Sequence, residues 1–150
     1  MPESETRARA VDRLVSALYS CGYWVLPAVF EGILAGGSLA VEPLIEVLTA
    51  FVRDRDVSYY GLSYAALLLG HLQAVEAIPA LIEVMRDDDG DVLDDVSRAL
   101  GSLGAPAVEP CLALVDDATL TWYQRATAID AAVSAAWEDE AQEERVRAVL

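Results

Sequence analysis

The densest collection of chemically capable side chains is the run Asp87-Asp88-Asp89-Gly90-Asp91 with Asp94 and Asp95, six carboxylates within nine residues. Calcium needs several oxygens converging on one point, which an EF-hand loop supplies from fixed positions around a central Gly. With Gly90 in that place, Asp87 and Asp89 fall on ligand positions, but Met85 and Val96 occupy the two anchoring ones. No metal site is expected there. The run reads instead as a solvated turn whose Asp residues cap the next helix and favour its positive end. His71, the single histidine, has no Cys or second His nearby in sequence, so zinc binding and acid–base work both lack partners, and an exposed or capping position is expected. Cys21 and Cys111 show no metal or redox spacing. Glu42 and Glu46, then Glu83 and Glu109, offer carboxylates on helix faces, yet nothing raises one acid relative to another on an open surface. Neither a Gly-rich phosphate loop nor a nucleophile elbow is present. No catalytic residue, cofactor or metal ligand is expected, and the chain reads as a non-enzyme.

The aromatic side chains point elsewhere. Tyr59 with Tyr60, and Trp122 with Tyr123, each follow an acidic turn and begin a helix. That places both pairs on one edge of the molecule, where they either fill gaps between neighbouring repeats that Ala cannot reach or anchor a partner, as Tyr and Trp do in interfaces.

These residues are positioned by a repeat. Ala40-Val-Glu-Pro-Leu-Ile-Glu-Val-Leu48, Ala77-Ile-Pro-Ala-Leu-Ile-Glu-Val-Met85 and Ala107-Val-Glu-Pro-Cys-Leu-Ala-Leu-Val115 align without gaps. Each carries a Pro in the first turn of a helix, where the missing N–H removes no hydrogen bond. Each then sets apolar residues at helical spacing: Leu44, Val47 and Leu48; Leu81, Val84 and Met85; Cys111, Leu114 and Val115. Ahead of two of them, Ala66-Leu-Leu-Leu-Gly70 and Arg98-Ala-Leu-Gly101 read as apolar helices stopped by Gly. The unit is helix, Gly-bearing turn, helix, Asp-rich turn. The turns are Arg53–Asp56, Asp87–Asp91 and Asp116–Thr119.

This pattern resembles the short HEAT-like repeat first named for phycobilisome lyases, over roughly residues 24 to 137. The resemblance implies an all-α fold, an α-solenoid of about four antiparallel helix pairs with an N-terminal capping helix. One domain over 1–150 is expected, with the cap at about 6–20 and repeats at about 24–53, 58–88, 92–117 and 121–149. Family repeats usually carry an Arg near the start of the first helix; Leu62, Leu93 and Trp122 are read at that position here.

Charge narrows the partner. The chain holds 25 acidic and 10 basic residues, all ten of them Arg, for a net charge of −15 and a pI near 4.1. Such a field repels phosphate backbones and anionic lipid heads and attracts basic surfaces. From Cys21 to Val41 the only charge is Glu31, long enough to span a bilayer, but five Gly and Pro residues interrupt the stretch, which reads as a buried helix with its turns. The acidic opening Met1-Pro2-Glu3-Ser4-Glu5 has no signal-peptide form, and two unpaired cysteines suit a reducing interior, so a cytoplasmic location is expected.

The expected function is a protein-interaction module: adaptor, scaffold or inhibitor of the immunity type. It would bind a basic protein, not nucleic acid or membrane, as a monomer or weak homodimer. The outward residues of the second helices, Glu42, Glu46, Arg53, Glu76, Glu83, Arg86, Glu109 and Asp116, form one candidate surface; the aromatic pairs form the other. The family resemblance implies an alternative, a bilin-type lyase or isomerase or an accessory subunit of one.

Overall fold

The computed structural model describes residues 3–88 and 90–150, which are helical with no strand among them. Among the described residues nine α-helices follow in order. They are α1 (Glu3–Ser16), α2 (Pro27–Gly36), α3 (Val41–Asp54), α4 (Tyr59–His71), α5 (Ile78–Asp87), α6 (Val92–Leu103), α7 (Val108–Val115), α8 (Trp122–Ala135) and α9 (Glu140–Val149). The elements fall where the sequence pattern places them, with two displacements. The first helix stops at Ser16 and tightens into a 3₁₀ turn over Ala17–Ser20 that buries Leu18. The second starts at Pro27, whose fixed φ begins a helix, after Leu26 in an extended conformation.

The helices stack in two rows. First helices α2, α4, α6 and α8 pack side by side; second helices α3, α5 and α7 form the other row. Helix α1 covers the start of the stack against α2 and α3, and α9 covers its end against α7 and α8. The rows are clamped most closely by α3 on α4, α5 on α6 and α7 on α8, so each second helix lies nearer the first helix of the following unit than its own partner. The aligned apolar positions of the second helices are the core: Leu44, Val47, Leu48, Leu81, Val84, Met85, Cys111 and Leu114 are buried, and Val115 is half-buried.

The first helices show a register of their own. Buried positions recur at Leu62, Leu93 and Gln124, at Ala65, Val96 and Thr127, and at Ala66, Ser97 and Ala128. The residue of the fourth unit that matches Leu62 and Leu93 is therefore Gln124, and the sequence reading that placed Trp122 there is corrected. Trp122 opens α8 and is 75% exposed.

Gly70 and Gly101 do not stop their helices. Both lie inside them, and their missing Cβ lets the next helix come close: a Cβ on Gly70 would sit 2.7 Å from Ser102 Oγ and 3.1 Å from Ala99 Cα, and one on Gly101 would sit 2.7 Å from Ser134 Cβ. The reversals are made further on, by Gln73 (φ 53°) in one unit and by Gly104 (φ 75°) in the next. Gly37 (φ 58°) turns the chain in the same way between α2 and α3. The helical run Pro27–Asp54 is long and apolar enough to cross a membrane by length and composition. It is divided at Gly37, and its two halves pack mainly on different neighbours, α2 chiefly on α1 and α3 chiefly on α4 and α5.

Candidate interaction surfaces

The Asp-rich turns were expected to cap the helices after them, and among the described residues their Asp side chains do not cap α4, α6 or α8. Ser58 caps α4, its Oγ accepting from the Gly61 N–H at 3.0 Å, and Thr121 caps α8 in a reciprocal box with Gln124. Asp91 stands at the N-cap of α6 with helical backbone angles and makes no side-chain cap bond. The carboxylates instead tie successive units together. Arg55 Nη2 meets Asp87 at 2.5 Å, and Arg86 Nη1 meets Asp117 at 2.8 Å. Tyr123 donates its hydroxyl proton to Asp94 at 2.9 Å. That bond and partial burial hold the Tyr123 hydroxyl above its ordinary pKa. Hydrogen bonds from Thr119 and from Arg86 hold Asp117 below the usual carboxylate range. Asp89 lies outside the described residues; among the described residues no three metal-ligating side chains converge.

The second-helix face carries the acidic candidates. Glu42, Glu46, Glu76, Glu83, Glu109 and Asp116 are all exposed, as are Arg53 and Arg86. They are not equivalent. Arg53 engages Asp54 at 2.6 Å and Glu46 at 3.5 Å, and Arg145 from α9 grips Glu109 at 2.6 and 3.2 Å. The terminal helix thus closes the row at α7. Among the described residues Glu42, Glu76, Glu83 and Asp116 have no ion-pair partner, and the first three of these lie on the first half of the stack. Two grooves run through that half. One, of about 610 Å³, lies between α1 and α3, with Asp12, Glu42 and Glu46 around Val15 and Ile45. The other, of about 340 Å³, lies between α3 and α5, with Val52, Pro79 and Ala80 as its apolar lining and Glu83 at its edge. Burial and the nearby Glu46 raise the pKa of Tyr19 beside the first groove.

The aromatic pairs begin α4 and α8 on the first-helix row, with the start of α6 between them. Tyr59 and Tyr60 are exposed and line a cleft of about 650 Å³. Trp122 and Tyr123 stack edge-on with each other at 5.8 Å and are not part of it. The cleft's other wall is Tyr23 and Trp24, from the segment before α2, which the sequence reading passed over as part of an apolar stretch. Their signal was two adjacent aromatics after Gly22 in a connecting segment, where nothing at helical spacing buries them. Trp24 is 84% exposed.

The remaining reactive groups have ordinary settings. His71 is exposed at the end of α4, edge-on to Phe30 at 6.1 Å. Burial pushes the Cys111 thiol up to about 12, which keeps it protonated at neutral pH. Cys21 is half-buried, and its carbonyl accepts from Ser58 Oγ at 2.8 Å.

Residues 41–132, more than half of the sequence, match the family model described as HEAT repeats, and the chain belongs to that family. No curated protein and no solved structure matches it.

Proposed function

We propose that this HEAT-repeat domain is a non-enzymatic protein-binding module of the cell interior that takes a basic partner on its second-helix face, as an adaptor, scaffold or inhibitor. HEAT repeat domains typically bind proteins, and side-by-side second helices suit a partner's helix or loop. The observation that carries the reading is that Glu42 and Glu83, neither of them in an ion pair among the described residues, each line a groove with apolar residues in its walls. An amphipathic segment with basic flanks would bury its apolar face there and set its charges against these carboxylates. The chromophore-handling alternative, with its phycobilisome-lyase-type resemblance, would draw on the aromatic cleft. Asp91 and Asp95 line that cleft and would repel the carboxylates a bilin carries.

Surface plasmon resonance with a synthetic amphipathic Arg/Lys helix at two salt concentrations tests the proposal. The double change Glu42→Lys with Glu83→Lys should slow association by about tenfold at low salt, with a smaller effect at high salt. Trp122→Ala, on the first-helix row and outside the cleft, should leave the on-rate unchanged. Binding insensitive to salt and to both Glu changes would reject the acidic face.

A further inference from the structure

The cleft on the first-helix row has a composition that neither the fold nor the second-helix face requires. Its rings are set at right angles. Tyr23 meets Trp24 at 4.8 Å and 87°, and Tyr60 at 5.7 Å and 89°. The Tyr64 hydroxyl donates to the Tyr23 carbonyl at 2.6 Å, fastening the connecting segment to α4 and so holding the two walls in place. The third wall is the start of α6, where Asp91 and Asp95 stand four residues apart and therefore on one helical face. Among the described residues no basic side chain lines the cleft. Arg98 approaches Asp95 only at 3.5 Å with its side chain 72% exposed, a surface pair that an incoming cation can displace.

Exposed π faces next to carboxylates are the recognition chemistry of an organic cation. Ring faces attract the charge, and carboxylates accept its N–H donors. A quaternary ammonium has no such donors and would leave both Asp side chains unpaired. An ammonium of lysine is a compact, strongly hydrated charge with no plane to stack. Guanidinium meets both demands, since it stacks flat on an aromatic face while its edge forks onto a carboxylate. The space, about 650 Å³, suits a length of peptide around the side chain.

We propose that the cleft formed by Tyr23, Trp24, Tyr60, Tyr64, Asp91 and Asp95 is a binding site for an arginine side chain presented by an extended peptide segment of a protein partner. The site is separate from the second-helix face, so it stands whether or not the acidic row binds a helix. The net charge of −15 favours the same class of partner at both.

Isothermal titration of the full chain with a short Gly-Arg-Gly-Arg-Gly peptide tests it, beside three companions in which Arg is replaced by citrulline, lysine or trimethyl-lysine. Saturable binding of the Arg peptide is expected, with citrulline, the uncharged isostere, weaker by about tenfold or more. Trp24→Ala and Asp95→Asn should each weaken the Arg peptide by about tenfold. Both positions are at least partly exposed, and unchanged circular dichroism of the two variants would show the fold intact. Glu42→Lys with Glu83→Lys should change the affinity by less than about threefold, because those residues lie on the other row. The assignment is overturned if the Arg peptide does not saturate, or if citrulline or trimethyl-lysine binds as well as arginine. It is also overturned if the Glu variants abolish binding while the cleft variants do not; that last result would leave the second-helix reading standing alone.

Discussion

The Nε2 of Gln124 faces three carbonyl oxygens, those of Met85, Arg86 and Asp88, each at 3.0 Å. Its Oε1 accepts from the Thr121 N–H at 2.8 Å. One buried amide thus closes the end of α5 and the beginning of α8, satisfying groups that helix ends leave without partners. Replacement by Leu keeps the bulk and removes every one of these bonds. Gln124→Leu should lower stability by about 2–4 kcal/mol, the combined scale of a lost cap and of buried carbonyls left unpaired. Gln124→Glu should be no better at neutral pH, since a carboxylate only accepts and would face three acceptors. Chemical denaturation checks both, and a loss under about 0.5 kcal/mol, the scale of an ordinary surface change, would show that the three carbonyls find other donors. The Thr121-x-x-Gln124 spacing is a local capping signal, but the three carbonyl contacts were not legible, because Met85, Arg86 and Asp88 lie two units back in the chain. The local pattern even placed Trp122 at the equivalent position, although the buried register runs through Gln124.

Elements were legible where their signal is local. The second helices announce themselves through a first-turn Pro and an apolar face, and their aligned positions are the core of the molecule. What joins one unit to the next was not legible, since the Arg55–Asp87 and Arg86–Asp117 bridges and the close approaches at Gly depend on which helices end up adjacent. Glycine in a helix reads locally as a stop or a weakness; at the inter-helix contact it is a space requirement. Gly61 is the sharpest case, because a Cβ there would lie 1.7 Å from the Leu18 carbonyl oxygen, a backbone atom of the turn that packs on α4. At Gly32 the added atom would meet only the tip of Leu14, at 2.7 Å, and a Leu side chain can turn away. Gly61→Ala should therefore cost about 2–3 kcal/mol through overpacking. Gly32→Ala should fall within about 1 kcal/mol of neutral, its helix-propensity gain offsetting the contact. Thermal unfolding of the two variants separates them, and equal melting temperatures would mean that α4 can slide off the turn without loss.

At the scale of the whole molecule the question is whether charge holds the stack together or pushes it apart. Eight ion pairs are present among the described residues, and in every one at least one partner side chain is more than a third exposed. Exposed pairs contribute about 0–1 kcal/mol each, and three of these lie within one helix at neighbouring-turn spacing. Against them stands a net charge of −15 on 150 residues, whose mutual repulsion grows as the chain compacts. Salt distinguishes the two, because it screens long-range repulsion between many like charges and weakens the pairs as well. Raising the ionic strength from about 0.01 M to about 1 M shortens the screening length from about 30 Å to about 3 Å, below the separation of most carboxylates on this surface. Repulsion summed over the excess acids should outweigh a few exposed pairs, so the melting temperature should rise with sodium chloride. The steepest rise is expected at the low end, where the screening length first drops below the size of the domain. Differential scanning calorimetry across that range is the measurement. A melting temperature that falls with salt would mean that the bridges between units, Arg55–Asp87, Arg86–Asp117 and Arg145–Glu109, act as a connected network that outweighs the repulsion.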